Sequence, residues 1–206
     1  MIATLLIGLA AGCASALMFA SIISGALISL ILFYLAPLPL MVAALGWGPF
    51  GAAAGGVTAA FGLGSLFGLP YCMAFALTIA IPAWWLGHLA LLGKPAASGV
   101  SLNNNSAPTA LVMEWYPIGR ILLWIAGFAA LTTAAALLTL GNDSASILSA
   151  LRRGLLRMIG GRDGSLVNDQ TEQWVGALVT IAPAAAAIVA MMTLTFNLWI
   201  AARITA

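Results

Sequence analysis

The chain has 206 residues, 63% hydrophobic and 6% charged, with seven Lys and Arg against five Asp and Glu for a net charge of +2. A soluble domain carries about 25% charged residues and a disordered chain needs low hydrophobicity, so both classes are excluded. The small net charge also leaves no nucleic-acid footprint.

No Asp, Glu, Lys or Arg occurs in residues 1–93, and the first charged side chain is Lys94. A bilayer core takes about 20 helical residues, so this block holds several spans. The fold class is all-α: a polytopic transmembrane helical bundle of six spans, one domain over residues 1–206, with the lipid bilayer as its main partner. Spans are expected near 3–20, 24–45, 50–68, 71–92, 118–140 and 175–202. The corners between them are marked by glycine and proline. Residues 21–25 give a weak break, Gly46-Trp47-Gly48-Pro49 a strong one, Gly68-Leu69-Pro70 the third, and Gly93-Lys94-Pro95 ends the apolar block. One helix over residues 1–35 would be about 50 Å long, too long for one span with ordinary tilt.

Cys13 and Cys72 lie in apolar runs and read as small buried hydrophobes, with no disulfide implied. Leu9-Ala10-Ala11-Gly12-Cys13 loosely evokes a lipoprotein cleavage box. No basic residue precedes it and the apolar run continues past it, so the first helix is expected to remain as a span. Small residues recur every four positions: Gly8, Gly12, Ala16 and Ala20 in the first span, Gly51, Gly55 and Ala59 in the third. Such ridges let backbones approach closely. Packing within the bundle is the favoured use, and contact between the first span and another membrane protein is the other.

Residues 94–117 form a polar loop rich in Ser, Asn and Gly, tightening into Met113-Glu114-Trp115-Tyr116-Pro117 where the fifth span begins. Residues 141–174 form a second polar segment with a short amphipathic helix near 143–160, capped by Asn142 or Asp143 and ended by Gly160-Gly161. Ile147, Leu148, Leu151, Leu155, Met158 and Ile159 share one face and Arg152, Arg153 and Arg157 the other. This helix either lies in the membrane interface or docks on the neighbouring spans. Pro183 should kink the last span or free a carbonyl.

No enzyme motif is present: no Ser/His/Asp set, no HExxH, no paired carboxylates within a span and no phosphate-binding glycine loop. The chain is expected to be no enzyme, to need no cofactor and to bind no metal, since the single His88 has no partner ligands. The informative feature is parity. With six spans, the connection between spans two and three, that between four and five, and the C-terminus share one face. That face collects Trp47, Trp84, Trp85, His88, Glu114, Trp115, Tyr116, Arg120, Trp124, Asn197, Trp199 and Arg203, six of the seven tryptophans. Tryptophan ordinarily populates both interfaces. The face is either an aromatic belt or a surface for a partner or a small-molecule ligand. Its candidate binding residues are Trp84, Trp85, His88, Glu114, Trp115, Tyr116, Arg120 and Asn197; Gly8, Gly12, Ala16, Gly51 and Gly55 are the candidate packing residues. Glu114 and Arg120 bracket Pro117 and are expected to pair, because an ionisable group near the hydrocarbon wants a counter-charge. Lys and Arg divide almost evenly between the two sides, so charge leaves the orientation open.

Ala36-Pro37-Leu38-Pro39-Leu40, Gly46-Trp47-Gly48-Pro49, Pro82-Ala83-Trp84-Trp85-Leu86-Gly87, Glu114-Trp115-Tyr116-Pro117-Ile118-Gly119-Arg120 and Asn197-Leu198-Trp199 resemble the YybS-like family of bacterial membrane proteins of unknown function. The resemblance covers essentially the whole chain. It implies a multi-pass protein of the bacterial plasma (inner) membrane. Family members usually continue past the final span with a basic segment, so a chain stopping at Ala206 is expected to be short or truncated. A basic segment there implies a cytoplasmic C-terminus and, with six spans, a cytoplasmic N-terminus. Leu45-Gly46-Trp47-Gly48-Pro49-Phe50-Gly51 followed by Gly55 is also similar to the Gly-Pro…Gly pattern of substrate-binding S-components of energy-coupling-factor transporters. Those are six-helix proteins that capture a vitamin or metal ion and associate with a transmembrane partner and ATPases. The expected function is thus a non-catalytic, transport-related binding subunit. The alternative is a cell-envelope scaffold without transport activity. A binding subunit needs a cavity of about 300 Å³ or more with converging polar groups, and a scaffold does not.

Overall fold

The computed structural model describes residues 2–24, 26–95, 113–115, 117–140, 143–160 and 169–206. Among these, six helices are long and apolar enough to cross a membrane: Ile2–Ile23, Ile28–Trp47, Pro49–Phe67, Leu69–Ala90, Ile118–Thr139 and Trp174–Thr205. The protein is all-α and multi-pass. Two compact units group the residues: Met1–Ile125 with Leu194–Ala206, and Ala126–Thr193.

In the first unit the chain reverses on single glycines. Helix α1 (Ile2–Ala20) leads through a 3-10 turn, Ser21–Ser24, to α2 (Leu27–Leu35) and α3 (Pro37–Trp47). Gly48 alone separates α3 from α4 (Pro49–Phe67), and Gly68 alone separates α4 from α5 (Leu69–Phe75). Gly48 has φ 96° and ψ 158°, Gly68 φ 93° and ψ 169°. That region is essentially open to glycine alone. Each glycine N–H closes the helix before it, Gly48 onto the Ala44 carbonyl at 3.1 Å and Gly68 onto the Gly64 carbonyl at 2.9 Å. Pro49 and Pro70 then start the next helix where no N–H is needed.

Two spans are less regular than their hydropathy suggests. Span two breaks at Ala36 because Pro37 and Pro39 lack N–H groups, so the Phe33 and Leu35 carbonyls lose their i+4 donors. The Ala36 N–H tightens the corner by donating to Phe33 O at 3.2 Å. Span four runs through α5, a π turn at Ala76–Ala80 and α6 (Ile81–Ala90). Pro82 cannot donate to the Thr78 carbonyl, and Ile81 N–H reaches back five residues to Ala76 instead.

The glycine ridges meet each other. A Cβ on Gly8 would collide with the Gly51 carbonyl, one on Gly12 with the Gly55 carbonyl, and one on Gly55 with the Gly8 carbonyl. In lipid no hydrophobic force drives helices together, so such backbone-to-backbone contact is what holds α1 on α4. The ridge is therefore used inside the molecule, and Gly8 and Gly12 are buried. A partner at the first span would meet Leu6 and Leu17, which face outward. Further along α4, nothing lies within 4 Å of a Cβ position at Gly62. Gly87 sets α6 on α3, with Ala44 Cβ 2.5 Å from its own Cβ position. Phe19 sets its ring 5.5 Å from both Phe33 and Phe75, tilted against the first and edge-on to the second. At one end, Gly46 lies against Thr205, so spans two and six finish on the same side. That is the arrangement six-span parity requires.

Residues 93–95 and 113–115 form an antiparallel ribbon, β1 (Gly93–Pro95) on β2 (Met113–Trp115), where the sequence suggested only loop. Helix α7 (Ile118–Leu140) follows. The second unit contains the end of α7, helix α8 (Ser144–Gly160) and the first part of α9 (Asp169–Thr205). Asp143 is the cap of α8: its carboxylate accepts the Ser146 N–H at 3.2 Å. The Ser146 hydroxyl, then that N–H, hold the Asp143 carboxyl below its ordinary value. The cap's stabilisation is thus fully present above the ordinary carboxylate value and is lost as pH falls through the lowered one. Helix α9 continues through Pro183 over 37 residues. The proline leaves the Val179 carbonyl without its i+4 donor but does not end the helix. At 1.5 Å per residue α9 is about 55 Å long, so it tilts or emerges from a hydrocarbon layer of about 30 Å.

Candidate binding face

Helix α6 carries Trp84, Trp85 and His88 on adjoining turns, and α7 brings Trp124 against them. Trp84 stacks on His88 with centroids 6.4 Å apart, Trp85 lies 6.2 Å from His88, and Trp85 meets Trp124 edge-on at 5.1 Å. The Trp85 Nε1 is enclosed with no hydrogen-bond partner among the described residues. The first two rings and His88 are half-buried, so this set is a packed cluster rather than rings spread on the lipid side.

Trp84 also lines a lateral groove between α4 and span four. The groove has a volume of about 470 Å³, with Gly56 and Ala60 on one wall and Ala76 and Ala80 of the π turn on the other. Phe61 and Ile81 stand exposed at its rim. The walls are made of small residues, so the space is left by missing side chains and not by separated helices. A Cβ at Gly56 would come within 3.1 Å of Ala80 Cβ. A second groove of about 470 Å³ opens between α1 and α4 where the glycine ridge gives way to Ala16, Ala20 and Ala59. A cavity of about 350 Å³ lies within the second unit, among Thr132, Thr133, Leu151 and Pro183. All three are lined mainly by apolar side chains, and none has the converging polar groups expected for a water-soluble substrate.

Asn197 is fully buried, and its Nδ2 donates to the Tyr34 carbonyl at 2.8 Å. The contact falls on the turn where span two breaks. Tyr34 sits two residues before Ala36, between Phe33 and Leu35, whose carbonyls lose their i+4 donors to Pro37 and Pro39. Interhelical bonds of this type contribute about 0.6 kcal/mol on average in membranes.

Arg120 is exposed at the start of α7, and its backbone N–H donates to Pro117 O at 3.0 Å. The side chains of Glu114 and Trp115, and all of Tyr116, lie outside the described residues, and with them the expected Glu114–Arg120 pair. The ribbon register sets Lys94 directly across from Glu114, a cation that sequence spacing did not bring forward. Trp47 and Trp199 point outward, 50% and 57% exposed, as belt residues do. The Arg203 guanidinium lies 5.7 Å over the Trp199 ring. Trp174 is exposed as well. Among the described residues, the aromatic face thus divides into a joined cluster on α6 and α7 and the outward rings of Trp47 and Trp199. Among the described residues no three His, Cys, Asp or Glu side chains gather as a metal site would require.

Comparison with protein-family models gives no match, and neither curated proteins nor solved structures give one.

Proposed function

We propose that this multi-pass membrane protein is a non-catalytic binding subunit, related in function to transport, whose ligand is apolar and enters from the side through the α4–span four groove. The observation that carries this reading is the groove itself: about 470 Å³ of space with Gly56 and four alanines in its walls and Trp84 among its lining residues. A volume in that range suits a small-molecule ligand. The scarcity of polar lining groups favours a hydrocarbon chain over the water-soluble cargo of the S-components that the sequence resembles.

A photoactivatable palmitic acid tests this on the purified protein in detergent. Crosslinks should map to 53–61 and 72–84, and filling the groove with Ala53→Leu and Ala76→Leu should lower the yield about tenfold, as loss of a bound ligand would. Crosslinks scattered over all spans, unchanged by the double substitution, would favour the second reading. That reading is a cell-envelope scaffold, and the apolar cavities and outward Trp47 and Trp199 are what support it.

The protein is further proposed to sit in a bacterial plasma membrane with both termini cytoplasmic and residues 141–174 outside. In intact cells an impermeant thiol reagent should label Ser165→Cys and spare Ser101→Cys. The opposite pattern reverses the orientation.

A further inference from the structure

Span four keeps one face on the α4 groove for longer than a regular α-helix could. Cys72 of α5, Ala76 of the π turn, and Ile81 and Trp84 of α6 all line the groove. At 3.6 residues per turn, the twelve steps from Cys72 to Trp84 would set the two side chains about 120° apart around the axis. Ala83 would then stand closer to the line of Cys72 than Trp84 does. The π turn takes in about one extra residue, and so turns α6 back by about 100° relative to α5. It ends where Ile81 N–H closes onto the Ala76 carbonyl, just before Pro82, which has no N–H to offer. The bulky ring of Trp84 thereby joins a wall otherwise rich in small residues.

Its place along the groove follows from the register of the two walls. A Cβ at Gly64 would come within 2.9 Å of Cys72 Cβ, and one at Gly56 within 3.1 Å of Ala80 Cβ, so α4 and span four run antiparallel. Continuing that register brings Trp84 level with the Ala53 end of α4, with Cys72 toward the Phe61 end. Along the axis Cys72 and Trp84 are about 18 Å apart. One leaflet of a hydrocarbon layer of about 30 Å, the depth that a single acyl chain fills, is about 15 Å. The Trp84 ring is half-buried and stacks with His88 one turn further along α6.

We propose, on the reading of this groove as a ligand site, that Trp84 is its specificity-determining residue: the ring closes one end and sets the length of the single linear acyl chain the groove holds. A chain that is too long must push the ring off His88, and that steric cost is what discriminates.

Competition on the purified full chain in detergent tests this, with photoactivatable palmitic acid as probe and saturated fatty acids from lauric to arachidic as competitors. For the unchanged protein, displacement of the crosslinks in 53–61 and 72–84 should peak at one chain length and fall at least about threefold beyond it. Trp84→Ala should move the peak to a longer chain, and Trp84→Phe, which keeps a ring, should move it less. Cys72→Leu, at the other end, should move it to a shorter one. A lower crosslink yield with the peak in place would mean that Trp84 only supports the fold, and overturns its role as the stop. A flat profile in the unchanged protein overturns it as well. If Trp84→Ala does not fold, Trp84→Leu should move the peak in the same direction, and an unmoved peak there has the same consequence. Crosslinks scattered over all spans overturn the groove reading itself, whereas groove-specific crosslinks with an unmoved peak overturn only the role of Trp84.

Discussion

Alanine at Gly8 or Gly55 should destabilise the protein by about 3 kcal/mol or more, while alanine at Gly62 or Gly127 should leave it as stable or raise its stability by up to about 1 kcal/mol. All four are helical glycines, and helix propensity alone favours alanine at each. The difference is what a Cβ would meet. At Gly8 it enters the Gly51 carbonyl and at Gly55 the Gly8 carbonyl, and neither backbone can move aside without separating α1 from α4. At Gly62 and Gly127 nothing lies within 4 Å. Because lipid offers no hydrophobic penalty for separation, losing this contact removes much of what joins the two helices. Thermal unfolding in detergent, followed by loss of monodisperse protein, measures the contrast. Equal melting temperatures for Gly8→Ala and Gly62→Ala would sink the interface.

The second large effect is expected at the corners. Gly48→Ala and Gly68→Ala should each cost about 1–3 kcal/mol, although neither position is crowded. A Cβ at Gly48 meets nothing within 4 Å, and at Gly68 it meets only Pro70 Cδ at 3.7 Å, an ordinary contact. The loss comes from the backbone, since φ above 90° with ψ near 160° is closed to residues with a Cβ. A longer connection could absorb the strain, but a single residue joins α3 to α4 and α4 to α5. Lengthening either corner by two glycines should therefore rescue the alanine variant in the same melting assay. Wild-type stability for unextended Gly48→Ala would mean that the corner does not use this conformation.

Much of the fold can be read along the chain because its causes are local. A stretch of 93 residues without Asp, Glu, Lys or Arg can only be membrane spans, and their ends agree with the structure within four residues. Gly48-Pro49 and Gly68-Leu69-Pro70 reveal themselves as corners because positive φ and a missing N–H are properties of the residue type. The same holds for α8, whose apolar and basic faces alternate at helical period and whose cap resolves to Asp143. The candidate site was only partly legible. Trp84, Trp85 and His88 stand out by number and parity, and their spacing on one helix brings the rings together.

What the chain did not disclose depends on which faces meet. In a soluble helix the apolar stripe points inward, but in lipid both sides of a span are apolar, so hydropathy carries no inward direction. The pairing of Gly8 and Gly12 with Gly51 and Gly55 is a matter of register between two helices, as is the choice of Tyr34 as the partner of Asn197. The groove beside Trp84 is a still weaker sequence signal: Ala53, Gly56, Ala60, Ala76 and Ala80 are unremarkable singly, and they enclose space only once α4 lies beside the π turn. Prolines at 37, 39 and 82 were visible throughout. Yet the same residue type breaks span two at Ala36, widens span four into a π turn and is absorbed in α9, a difference that the residue type alone does not carry.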